Sequence, residues 1–314
     1  MILLLQYTLL FSSVLLLVAL GGCFSERSGV VNIGLEGIMV LGALGGALVL
    51  RFVPTEIGTF GMVLATLIAS SALGLLGSLF LAVASIEFKA DQTITGTALN
   101  MLATAAATVG VKAMNTGLTD GADTTSDISY IKGRELLIGK IGSFEFSWFT
   151  LIALIALGVS FFLLYKTRFG MRLRACGEHP QAADSVGVSV RKMRYSGVLI
   201  SGIMAGFGGI VYITAGGGIW KFETGVSGFG FLAMAVMIFG GWHPIKIAFA
   251  SLLFGFLRAL GNVYSGFDFL ASLELPSVVY NMLPYVISLL VLSFTSKKSL
   301  APKAAGIPYD KGQR

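Results

Sequence analysis

Nine apolar runs of roughly twenty residues constrain this chain more than any motif does. They lie at 2–21, 29–50, 59–85, 94–113, 147–165, 195–214, 226–241, 245–263 and 278–295. A hydrocarbon core about 30 Å thick takes about 20 helical residues to cross, and a spanning segment must satisfy every backbone group internally. The expectation is an all-α polytopic membrane helix bundle with about nine transmembrane helices, some of them broken. It forms a single transmembrane unit over 1–296, followed by a basic tail over 297–314. The first run lacks a basic leading region, and SERSG is a poor cleavage site, so it reads as a membrane helix rather than a signal peptide. The run at 226–241 is short, but a re-entrant loop there would leave the basic tail outside, so it is read as a span.

Composition and charge fit this setting. Residues are 55% hydrophobic and only 12% charged, against about 25% charged in soluble domains. The 41 glycines suit close helix contacts in a bilayer. Lys and Arg exceed Asp and Glu by 22 to 16, an excess that belongs to loops and sets orientation; it does not argue for nucleic acid. The loop 166–194 carries Lys166, Arg168, Arg172, Arg174, Arg191, Lys192 and Arg194, and is expected in the cytoplasm. The loop 114–146, with Asp120, Asp123, Asp127, Glu135 and Glu145, is expected outside. Parity then puts the amino terminus outside and the tail lysines Lys297, Lys298, Lys303 and Lys311 inside.

Several chemistries lack their sequence signatures. There is no G-x-x-x-x-G-K-[ST], H-E-x-x-H, G-x-S-x-G or C-x-x-C. The chain is expected to have no ATPase site and no cofactor of its own, so any ATP is bound by a partner. Cys23 and Cys176 match no metal spacing, and His179 and His243 stand in turns beside prolines, where a structural role is expected.

Polar residues inside spans are the sharper signal, because they are costly in lipid and tend to face the bundle interior or a cavity. Asn32, Glu36, Thr95, Thr97 and Asn100 are the candidates for a solute path. The alternative for the threonines is that each hydroxyl satisfies its own helix, and for Arg258 that it snorkels to the outer interface. Asn32 and Glu36 stand among Gly29, Gly34 and Gly37, which can loosen a helix. The pair can therefore cap exposed amides near the cytoplasmic mouth, or contact solute directly.

In the basic loop, Pro180 is placed to start a short helix over 181–186 and Gly187 to end it. Such an element can dock on a cytosolic partner; the other reading is that the loop obeys the positive-inside rule and its arginines bind membrane lipid headgroups. GEHPQAADSVGV at 177–188 resembles the coupling loop of ABC importer permeases. Together with SGVVNIGLEGIMVLGA at 28–43, DQTITGTALN at 91–100, TRFGMRLRACGEHPQAADSVGV at 167–188 and FGGWHP at 239–244, it resembles the branch that moves nucleosides and simple sugars. The resemblance covers nearly the whole chain, in order; Gly241 departs from it, standing where relatives often carry a larger or charged residue. It implies a permease of the bacterial inner membrane working with a cytosolic ABC ATPase, a second permease or another copy of itself, and an extracytoplasmic substrate-binding lipoprotein. It also implies ATPase coupling through Glu178, His179, Pro180, Ala182, Ala183, Asp184 and Gly187, with Ala182 and Ala183 seated in the ATPase cleft. The rival is a carrier driven by an ion gradient, with Glu36 as its intramembrane carboxylate.

Overall fold

The computed structural model describes residues 1–141, 144–216, 218–295 and 300–312, so Lys297 and Lys298 lie outside the described residues. In chain order the helices are α1 (Ile2–Arg27), α2 (Leu35–Phe52), α3 (Gly58–Ala82), α4 (Gln92–Leu118), α5 (Ile131–Glu135), α6 (Trp148–Lys166), α7 (Arg168–Glu178), α8 (Pro180–Ser185), α9 (Val190–Thr214), α10 (Phe229–Phe239), α11 (Pro244–Val263), α12 (Asp268–Ala271) and α13 (Ser277–Thr295). Strands β1 (Asp127–Ser129) and β4 (Ile219–Lys221) form one antiparallel ribbon, and β2 (Ile138–Ile141) and β3 (Phe144–Ser147) another.

Seven helical segments among the described residues are long and apolar enough to cross a membrane; Phe229–Phe239 is a shorter apolar helix, and α13 covers the last expected run with 19 residues. Each of the nine expected runs holds a helix, but that at 226–241 holds only an 11-residue one and that at 29–50 a helix that starts late, at Leu35. The centre of the bundle is α9, whose most apolar stretch is 78% buried, whereas that of α6 is 22% buried and lies at the periphery. α1 packs on α9 and α11, and α2 on α3 and α9. Lipid gives no hydrophobic drive for helices to associate, so small residues supply close contact. Gly42 of α2 meets the backbone of Gly206 in α9 with no room for a Cβ.

Two irregularities shape the bundle. The run at 29–50 becomes helical only at Leu35, with 28–34 outside any helix. The run at 226–241 holds α10, whose 11 residues span about 16 Å, roughly half of the hydrocarbon thickness. Its lead-in starts from β4, which is paired to the acidic loop through Ile128 and Trp220. The crossing is therefore half helix and half irregular chain. Such backbone survives at membrane depth only where protein covers it.

The ends of the bundle follow the charges. Leu3, Gln6 and Tyr7 of α1 border one cavity with Arg134 and Glu145 of the acidic loop. At the other end of α1, Arg27 pairs with Glu178 of the basic loop. The basic loop itself carries one helix that its sequence did not announce, α7, in addition to the expected short helix.

Candidate functional site: an interrupted crossing held at both ends

The first amides of α10 have no partner inside the helix, and a side chain from α2 meets them. Glu36 accepts the Gly228 amide at 2.7 Å and the Gly230 amide at 2.6 Å, one on each carboxylate oxygen. A carboxylate at a helix start is also favoured by the helix dipole. The approach demands glycine: a Cβ on Gly230 would stand 2.5 Å from the Glu36 backbone nitrogen, and Gly228 is left-handed at φ +81°.

The start of α2 is braced in the same way. Asn100 of α4 accepts the Gly37 amide at 2.7 Å and donates to the Ile33 carbonyl at 3.0 Å. Asn32, 1% exposed, donates to the Ser201 hydroxyl of α9 at 2.9 Å. The structure thus brings Asn32, Glu36 and Asn100 to one irregular region. Its depth differs from the sequence expectation. Glu36 meets α10 at its far end, about 16 Å from the turn at the basic end, so it lies well inside the bundle and not at the cytoplasmic mouth.

Aromatic and amide groups complete this region. The Tyr285 hydroxyl donates to the Ser227 carbonyl at 2.8 Å. Arg258 hydrogen-bonds Asn281 of α13, and its guanidinium lies 5.7 Å from the Phe11 ring centre and 5.6 Å from that of Phe229. Arg258 therefore does not snorkel outward. It turns in because an amide acceptor and two ring faces are offered there, and none of these neighbours is close in sequence.

Thr95 and Thr97 stay apart from this group. Their hydroxyls donate to the Asp91 and Thr93 carbonyls at 2.7 and 2.8 Å, within their own helix. Thr95 borders a groove walled by Leu76, Phe80, Phe88 and Leu102. Thr97 is exposed on the open side of α4, as is Thr93 one turn earlier.

The other end of α10 closes on α1. After Phe239 the chain turns through Gly241 and Trp242, both left-handed at φ +58° and +55°. Arg27 donates to the Trp242 carbonyl from Nε at 3.3 Å and from Nη2 at 3.1 Å. The Trp242 indole donates to the Glu26 carboxylate at 2.6 Å. Arg27 also reaches Glu178 at 3.7 Å. One arginine thus joins the end of α7 to the end of α10. The signal available in the sequence was the acid–base pair Glu26–Arg27 at the close of an apolar helix.

α8 runs from Pro180 to Ser185, and Gly187 follows it at φ +82°, as the proline and glycine positions predict. Gln181, Ala182, Ser185 and Val186 are exposed, and His179 is exposed beside them. Ala183 is different: it is 4% exposed and packs with Cys176, Val190 and Tyr309. Expected beside Ala182 on one docking face, it is turned inward, because residues adjacent in a helix do not share a face. The tail helps to cover it. Ala304 donates its amide to the Gly177 carbonyl at 2.8 Å, and Lys311 approaches Asp184 at 3.9 Å. The His243 ring packs against Tyr165 at a tilt of 43°, with ring centres 4.9 Å apart; burial, then Lys246 and Arg27, hold its pKa below the usual imidazole value.

The profile of the family described as branched-chain amino acid transport system / permease component matches residues 4–292. The chain belongs to that permease family. It is similar to the guanosine ABC transporter permease protein NupQ of Bacillus subtilis (strain 168), with 44% identity over 98% of this chain and 96% of the relative. The nucleoside ABC transporter permease protein NupC of Lactococcus lactis subsp. cremoris (strain MG1363) is 38% identical over 97% of this chain and 96% of the relative. A second B. subtilis protein, the guanosine ABC transporter permease protein NupP, is 27% identical over 77% of this chain and 69% of the relative. With its apolar spans, this member of the permease family is a multi-pass protein of the bacterial plasma membrane.

Proposed function

We propose that the chain is a permease subunit of an ATP-driven ABC importer for nucleosides, working with a cytosolic ATPase, a second permease and an extracytoplasmic substrate-binding lipoprotein. One observation carries the mechanism: Arg27 links the basic loop at Glu178 to the turn after α10, and Glu36 links the far end of α10 to α2. Under this reading the ATPase grips α8 through its exposed face at His179, Gln181, Ala182 and Val186. Pro180 and Gly187 set the bounds of that lever, Asp184 pairs with basic groups, and Ala183 holds the lever to the chain. Movement of α7 and α8 then passes through Arg27 to α10, and from α10 through Glu36 to α2. A partner shifts this equilibrium only if its contacts differ between the two states.

Asn32, Glu36 and Asn100 act here as braces of the gate, and the solute passes beside them. Thr97 is assigned to the path, on the open face of α4, which the second permease would cover. Thr95 faces an apolar groove and is assigned no solute contact. The second permease is read as a homologous chain: two guanosine permeases of one organism, NupQ and NupP, both resemble this sequence. A gradient-driven carrier would need Glu36 free to exchange a proton or ion, and both of its oxygens are engaged by amides.

The test is uptake of labelled guanosine into vesicles holding the two permeases and the ATPase, with the lipoprotein added. ATP-dependent uptake is expected. Uptake by this chain alone, driven by a proton or sodium gradient, would overturn the proposal.

A further inference from the structure

At the basic end lies a recess of about 300 Å³. Lys89 borders it from the chain after α3, Arg191 and Arg194 from the first turns of α9, and Tyr309, Asp310 and Lys311 from the tail. Three of its four cations have carboxylate partners at or near the surface. Lys89 meets Asp310 at 3.0 Å, Arg191 meets Glu87 at 2.6 Å, and Lys311 stands 3.9 Å from Asp184.

Arg194 is the exception. It is 1% exposed, and its Nε and Nη2 have no hydrogen-bond partner. Its guanidinium carbon lies 6.0 Å from the centre of the Tyr309 ring, and its Nη2 faces Gly29. No carboxylate among the described residues forms an ion pair with it. An arginine does not shed its proton inside a protein, so this charge calls for an anion from outside the chain.

The shape and depth of the recess narrow the ligand. A planar guanidinium with free N–H groups matches phosphate oxygens in a paired geometry. The recess opens where one span ends at Glu87 and another begins at Val190, which is headgroup level; basic pockets on the cytoplasmic side of helices suit phospholipid headgroups. Ile86 adds an apolar flank on the membrane side. Lys311, on the longest of the three ion pairs, is placed to swing onto an incoming anion.

We propose that this recess binds a phosphate-bearing ligand, with Arg194 as its buried anchor, Arg191 and Lys311 as its rim and Tyr309 as its wall. The bound phosphate would join the tail to the start of α9, beside α8. Two sources share this chemistry, the phosphodiester headgroup of an anionic lipid and free inorganic phosphate.

The experiment uses the full-length chain purified in detergent and in nanodiscs. Native mass spectrometry reads how much phosphatidylglycerol is retained relative to phosphatidylcholine. Thermal shift in phosphatidylcholine nanodiscs reads stabilisation by inorganic phosphate. Each cation removed should weaken binding by about fivefold, so Arg194→Gln should reduce retention by that factor. The double variant Arg191→Gln/Lys311→Gln, at side chains 69% and 79% exposed, should reduce it further while folding normally. Selective phosphatidylglycerol retention that phosphate does not compete assigns a lipid. A phosphate-dependent shift without lipid selectivity, weakened in the same variants, assigns the free anion. Retention and shift equal in wild type and the double variant would overturn the proposal, whether or not Arg194→Gln folds.

Discussion

Glu36 and Gly230 are separated by 194 positions in the chain and joined by a 2.6 Å hydrogen bond from the Gly230 amide to the Glu36 carboxylate. The bond closes the start of a half-length helix inside the bundle. Burying such amides without a partner costs about 1–3 kcal/mol each. Glu36→Gln keeps one acceptor oxygen and brings an NH₂ to face an N–H, so we expect a loss of about 1–3 kcal/mol. Thermal unfolding in detergent should show a lowered midpoint, and uptake should fall with substrate preference unchanged. A changed preference at unchanged stability would return the carboxylate to the solute path.

Gly230 tests the same contact from the other side. A Cβ there meets the Glu36 backbone at 2.5 Å, and backbone cannot swing aside as a side chain does. Gly230→Ala should destabilise by about 1–3 kcal/mol through overpacking. Gly110→Ala, where a Cβ meets nothing within 4 Å, is the control and should be neutral or slightly stabilising.

Arg27→Met should cut the link between Glu178 and the Trp242 carbonyl. In the reconstituted complex we expect membrane insertion to persist while uptake per ATP hydrolysed falls by about tenfold, a coupling loss of about 1.4 kcal/mol. Coupled uptake at the wild-type ratio would show that α10 is moved by some other contact.

Cys176 reports on the tail. Burial pushes its thiol up to about 11, so at neutral pH it is protonated and packed against Ala183, Val190 and Tyr309. Maleimide labelling should be slow in the wild type and faster in Tyr309→Ala. The thiolate fraction rises with pH, so labelling should climb steeply toward alkaline pH in both proteins. Equal rates in the two would mean that the tail does not cover this cluster.

The tail also carries a pH dependence of definite sign. The Lys89 side chain, then the Gly312 amide, hold the Asp310 carboxyl below the usual aspartate value. A depressed carboxyl pKa contributes stability above the unfolded-state value, about 4, and loses it as pH falls through the lower folded-state value. Hydrogen exchange of residues 300–312 should therefore be flat from pH 5 to neutrality, after correction for intrinsic rates, and rise below about pH 4. Lys89→Met should flatten that acid limb.

The membrane spans were legible because lipid imposes a length and a polarity on every crossing, and these are local properties of a run of residues. The short helix of the basic loop was legible for a related reason: Pro180 and Gly187 fix backbone angles by their own covalent structure. The helix α7 was not, since its amphipathic pattern lies within a stretch whose charge already had an explanation. Ala183 and Ala182 looked alike in sequence, and only packing against Tyr309 separated them.

By itself, then, the sequence determined a polytopic helical bundle, the acidic and basic loops that mark its two ends, and the polar residues that lipid would not tolerate unaccompanied. The tertiary structure decided what those residues meet. Glu36 became a cap for a helix 194 positions away, Arg258 turned toward Asn281 and two aromatic rings, and Arg27 became the join between α7 and α10. The physical reason is that a buried polar group must be satisfied, which a sequence can announce, while the partner that satisfies it is chosen by how distant helices pack.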